Sequence, residues 1–154
     1  MPSRWARLAL AGACAGATPA SAQLGSELGL QATFAGSDPA IVVAGGYGAL
    51  RTSGRTRVSA TLGAGVSDGE IAVRGEALGH FLLSPGQPRG AGFYLAGGVA
   101  VVDGPFSRGY LVLTVGLEDR PAATSGWSAE LGVGGGVRVA LGYRWRRFRP
   151  ARGP

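Results

Sequence analysis

The sequence predicts an all-β fold: eight antiparallel strands closed into an up-and-down barrel that crosses a membrane. Three observations predict it. The run Val137 to Phe148 alternates strictly, with Val137, Val139, Leu141, Tyr143 and Trp145 on one face and Arg138, Ala140, Gly142, Arg144 and Arg146 on the other. Period-two alternation over some ten residues, with aromatics at one end of the apolar face, suits a strand crossing a bilayer. Charged residues make up only 16% of the chain, against about 25% in soluble domains. Seven further alternating runs precede this one, separated by turn-forming clusters.

The first 22 residues read as a leader. Arg4 and Arg7 form a basic start, Leu8 to Ala17 an apolar and small-residue stretch, and Ala20-Ser21-Ala22 a cleavage site. These are the parts of a secretory signal peptide, and the mature chain is expected to begin at Gln23. A competing reading places a lipid on Cys14 after Ala11-Gly12-Ala13. In either case the lone cysteine permits no disulfide and no thiolate metal cluster within the chain.

The strands follow in order at about 27–35, 40–51, 56–66, 70–83, 91–102, 109–118, 126–134 and 136–148. Between them lie Gly36-Ser37-Asp38-Pro39, Ser53-Gly54-Arg55, Ser67-Asp68-Gly69, 84–90, Asp103-Gly104-Pro105, 120–125 and the triplet Gly134-Gly135-Gly136. Gly, Pro, Asp and Ser set turn geometry. Ten residues tilted by about 40° rise roughly 25 Å, the height of an outer-membrane apolar band. Residues 23–148 thus form one barrel, and 149–154 a short tail.

Composition chooses the outward face. Strand three offers Arg57, Ser59, Thr61, Gly63 and Gly65 on its polar face; strand five offers Tyr94, Ala96, Gly98 and Ala100; strand seven offers Ser128, Glu130, Gly132 and Gly134. A solvated surface is seldom built from Gly, Ala and Ser, whereas a narrow barrel interior is. The opposite faces carry Val58, Leu62 and Val66, then Phe93, Leu95, Val99 and Val101, then Leu111, Leu113, Val115 and Leu117, which suit lipid. With the N-terminus in the periplasm, Tyr47, Phe81, Phe93, Trp127, Tyr143, Trp145 and Phe148 fall near the periplasmic rim as membrane-interface aromatics. Phe34 and Phe106 fall near the outer rim.

At these residues the chain resembles the small eight-stranded outer-membrane barrels of the OmpA/OmpX-like superfamily. The resemblance spans Glu27 to Phe148. Gly142-Tyr143-Arg144-Trp145-Arg146-Arg147-Phe148 is similar to the carboxy-terminal signal of that family, although Arg149 to Pro154 follow it here. The resemblance implies an outer membrane of the Gram-negative type, contact with its lipids, and the barrel-assembly machinery as a partner through the last strand. Relatives include structural tethers, adhesins, lipid-modifying enzymes and small channels.

By parity Glu27, Arg57, Glu70, Arg74, Glu76, His80, Glu118, Glu130, Arg138, Arg144 and Arg146 point inward. Five carboxylates thereby meet five arginines, as a buried ion-pair network requires. The expected lumen network comprises Arg57, Arg74, Glu76, Glu118, Glu130, Arg138 and Arg144. Such a plug implies a structural or envelope-maintaining monomer; the alternative is a narrow, porin-like channel or small-ligand barrel. Catalysis would have to use His80, the sole histidine, with Ser128 and Glu130 across the lumen. A lipid A deacylase lies within the implied range, but His80-Phe81-Leu82 stands where a His-x-Ser run would be. No metal-ligand spacing occurs, the glycine runs have no helix behind them, and no cofactor is expected. The net charge of +6 is concentrated near the C-terminus, with no general basic surface for nucleic acid. Short outer connections lower the adhesin reading.

Overall fold

A computed structural model describes residues 25–148. The expected leader, Cys14 and the tail 149–154 lie outside the described residues. Eight strands follow in order: β1 (Gly25–Ala35), β2 (Ile41–Arg51), β3 (Thr56–Ser67), β4 (Glu70–Leu82), β5 (Ala91–Asp103), β6 (Arg108–Asp119), β7 (Ser125–Val133) and β8 (Val137–Phe148). Each pairs antiparallel with its sequence neighbours, and β1 pairs with β8, so the sheet is a closed eight-stranded barrel. The closing ladder runs from Gly25↔Phe148 to Ala35↔Arg138.

Burial follows parity and fixes the faces. Arg57 is 0% exposed, whereas Leu111 is 80% exposed. Leu28, Leu30, Leu62, Leu113, Leu131 and Leu141 all stand outward. An apolar exterior around a charged interior is the inverse of a soluble domain and matches a barrel that faces lipid.

Small residues let the strands close tightly. Gly45 and Gly63 are register partners across β2 and β3. A Cβ at Gly45 would run into the Leu62 carbonyl oxygen and the Gly63 backbone, so the strands approach this closely only because Gly45 has no side chain.

The triplet 134–136 is a turn rather than strand. β7 stops at Val133 and β8 starts at Val137. Gly135 and Gly136 have φ of 81° and 97°, a region that costs glycine little and other residues much. Gly134 N–H closes the turn on the Gly136 carbonyl at 3.0 Å.

Connections 36–40, 68–69, 104–107 and 134–136 lie at one end of the barrel. The other end, here called the terminal end, holds 52–55, 83–90, 120–124, Gly25 and Phe148. Exposed charges divide between them: Arg55, Arg89, Arg120 and Arg147 at the terminal end, and Asp38, Asp68, Glu70, Asp103 and Arg108 at the far end.

Candidate functional site: the charged barrel interior

Three levels of side chains fill the interior. Nearest the terminal end, Glu27 and Glu118 are surrounded by arginines. Glu27 accepts from Arg51 Nε at 2.9 Å and from Arg57 Nη1 at 3.1 Å. Glu118 accepts from Arg57 Nη1 at 2.9 Å and from Arg146 Nη2 at 3.2 Å. Backbone carbonyls of the 120–124 connection complete this level: Pro121 accepts from Arg51 at 3.0 Å, and Arg120 and Ala123 each accept from Arg146 at 3.4 Å.

In the middle, Glu130 is the shared acceptor. It takes Tyr94 Oη–H at 2.7 Å, Arg144 Nη2 at 3.1 Å and Arg138 Nη1 at 2.7 Å. The Arg144 guanidinium lies over the Tyr47 ring, 4.4 Å from its centroid, and Arg57 lies over Tyr94 at 4.9 Å. Both are cation–π distances. Tyr94 has room because its register partner is Gly116, where a Cβ would strike the phenol ring.

Beyond the middle, Arg138 binds Glu76 through two nitrogens, Nη2 at 2.6 Å and Nε at 3.0 Å. This is the fork-to-carboxylate geometry that only arginine offers. Arg74 adds Nε at 2.7 Å to the same carboxylate and donates to the Gly134 carbonyl at 2.8 Å. The charges therefore alternate from Arg74 through Glu76, Arg138, Glu130, Arg144, Glu118, Arg57 and Glu27 to Arg51. Toward the far end, Ala35, Ile41, Val43, Ala72 and Val102 form an apolar cluster with Phe106 and Tyr110 packed on it.

The seven arginines and glutamates named for the lumen network all lie within this chain of contacts. Glu27 and Arg146 join them. Glu70, assigned inward by parity, is instead exposed, because β4 outruns its partner: the β4–β5 ladder begins only at Val73. Arg51 was not in the inward set yet is 4% exposed. It shares parity with Ala49 and Tyr47, which was the available signal. Tyr47 also departs from its expected place among the interface aromatics, since it is buried inside against Arg144. The expected balance of five against five becomes six buried arginines against four buried glutamates among the described residues.

Of the expected interface aromatics, Phe81, Phe93, Trp127, Tyr143 and Trp145 stand outward and exposed. Tyr143 meets Trp145 edge-on at 5.2 Å and is the register partner of Trp127. Phe148 is half-buried, with Arg51 over its ring at 5.2 Å.

His80 does not meet Ser128 in any hydrogen bond. Its Nε2 lies 2.7 Å from Ser59 Oγ, and its Nδ1 lies 3.3 Å from Arg57 Nη2. Arginine can only donate, so Nδ1 accepts and the ring proton sits on Nε2. His80 therefore donates to Ser59, whereas a serine nucleophile needs a bare Nε2 and a carboxylate at Nδ1. Among the described residues no group of three His, Cys, Asp or Glu side chains could hold a metal ion.

A closed ring of eight antiparallel strands, charged within and apolar without, defines the class of small up-and-down β-barrels. The N-terminal β-barrel domain of OprF from Pseudomonas aeruginosa is a solved structure of this fold. It is similar over 82% of this chain and 99% of its own, with a TM-score of 0.67 and 13% sequence identity. No family model and no curated protein matches the sequence. The likeness is one of fold, and at that level the resemblance to OmpA-like barrels holds.

Proposed function

We propose that the chain is an integral outer-membrane β-barrel with a structural, envelope-maintaining role, its lumen closed by Arg–Glu pairs. The observation that carries this reading is the unbroken alternation of buried arginine and glutamate from Arg74 to Arg51, capped by the apolar cluster around Ile41 and Val43. An eight-stranded interior is filled by side chains or holds at most one small ligand, and here most of its charged side chains are tied to each other. The exposed aromatics near the terminal end suit the headgroup level of one membrane face. The barrel works as a monomer among outer-membrane lipids and reaches them through the assembly machinery, which reads β8. The hydrogen bonding of His80 speaks for a packing role and against a lipid-modifying enzyme.

A planar-bilayer record tests the reading. The purified barrel is expected to show no unitary conductance, and cells lacking the protein are expected to keep their lipid A acylation unchanged. Steady single-channel steps would replace the closed plug by a narrow channel.

A further inference from the structure

The interior carries more positive than negative charge, and the excess is local. Arg74 and Arg138 balance Glu76 and Glu130. What remains is Arg51, Arg57, Arg144 and Arg146 around Glu27 and Glu118, all of them at most 4% exposed. No other carboxylate side chain can correct this. The chain has nine acidic residues; Asp38, Asp68, Glu70 and Asp103 are exposed at the far end, and Asp119 is bound to Arg120 at 2.8 Å. Proton loss cannot correct it either, because arginine stays protonated in proteins. The carbonyls of Arg120, Pro121 and Ala123 satisfy hydrogen bonds but bring no net charge. A buried cation without a counter-charge is strongly disfavoured.

The same arginines hold spare donors. Arg57 Nε, Arg144 Nε and Nη1, and Arg146 Nε are buried without a hydrogen-bond partner among the described residues. Arg144 Nη1 stays 3.6 Å from Glu118, and Arg146 Nε 4.0 Å from Glu27. A cavity of about 370 Å³ at the terminal rim, lined by Gly25, Ser26, Leu50, Arg51, Thr52, Arg147 and Phe148, lies mostly on the outer wall and touches the cluster only at Arg51.

We propose that the terminal half of the lumen is a binding site for a small inorganic anion, held by Arg57, Arg144 and Arg146 beside Glu118. This goes beyond the structural role above: the plug is completed by an anion taken from the terminal side.

Chloride is the first probe and inorganic phosphate the second. Protein folded in detergent micelles, checked by its heat-modifiable electrophoretic mobility, is titrated with chloride while the chlorine-35 NMR linewidth is followed. Saturable broadening that phosphate displaces is expected. Arg146→Gln removes one surplus charge and should weaken binding about tenfold, the loss of one charge-assisted hydrogen bond. Arg89→Gln, on the exposed terminal rim, should leave binding unchanged. No broadening above the micelle blank, with chloride and with phosphate as an unlabelled stabiliser in a melting curve, would overturn the proposal. Equal loss in Arg89→Gln and Arg146→Gln would also overturn it, since the ion would then sit on the rim. If Arg146→Gln fails to fold, the parent titration and the Arg89→Gln control still decide.

Discussion

Glu130 is the acceptor on which three donors converge, and removing it tests the interior most directly. Glu130→Ala leaves Arg138 with Glu76 alone and Arg144 with a long contact to Glu118. Breaking a buried pair by deleting one partner costs about 3–5 kcal/mol. The urea midpoint of the barrel in lipid vesicles should fall accordingly; an unchanged midpoint would mean that Glu130 is solvated. His80 offers a second check at this scale. Nitrogen-15 NMR should find its proton on Nε2, with Arg57→Ala freeing the ring to exchange tautomers. Much of this interior was legible from alternation, because every second residue of a strand must share a face. Arg51 and Tyr47 were not, for a physical reason. Arginine at a strand end and tyrosine near a rim are both compatible with an interface, so parity alone had to speak for the interior, and the partners on nearby strands, Glu27 for Arg51 and Arg144 for Tyr47, hold each side chain there.

Single strands carry the next tests. Leu113 stands outward on β6 and Thr114 inward. Leu113→Arg should impair assembly by about 2–4 kcal/mol, the cost of a cation near the bilayer midplane, while Thr114→Ser should be mild; folding yield into vesicles reads both. Gly116→Ala places a methyl group where the Tyr94 ring lies. The ring must then shift and release Glu130. Gly116→Ala and Tyr94→Phe should therefore be less than additive in a double-mutant cycle, because both lose the same Tyr94–Glu130 bond. Strand number and order were readable from turn residues. The β7–β8 boundary was blurred, since Gly134 to Gly136 carry no side chains by which to tell strand from turn, and only backbone dihedrals separate them. The overhang of β4 was equally hidden: parity says which face Glu70 occupies, not whether a neighbouring strand continues beside it.

The whole barrel has a direction as well as a shape. A cysteine at Gly69 or Ser107 should react with an impermeant thiol reagent on intact cells, and one at Ser53 or Ala123 should not, if the terminal end faces the periplasm. The reverse pattern would invert the barrel, and equal labelling at all four positions would remove it from the membrane. The pairing of β1 with β8 has a consequence in time. The first and last described strands share eleven register positions, so the ring cannot close until Val137 to Phe148 exist. Until then two strand edges stand open, and open edges invite pairing with other chains. A growing polypeptide of this kind has no native intermediate to rest in during its synthesis. It must be kept apart from its neighbours until Val137 to Phe148 arrives, and a chain cut short by that one segment should end in aggregates rather than in a seven-stranded barrel.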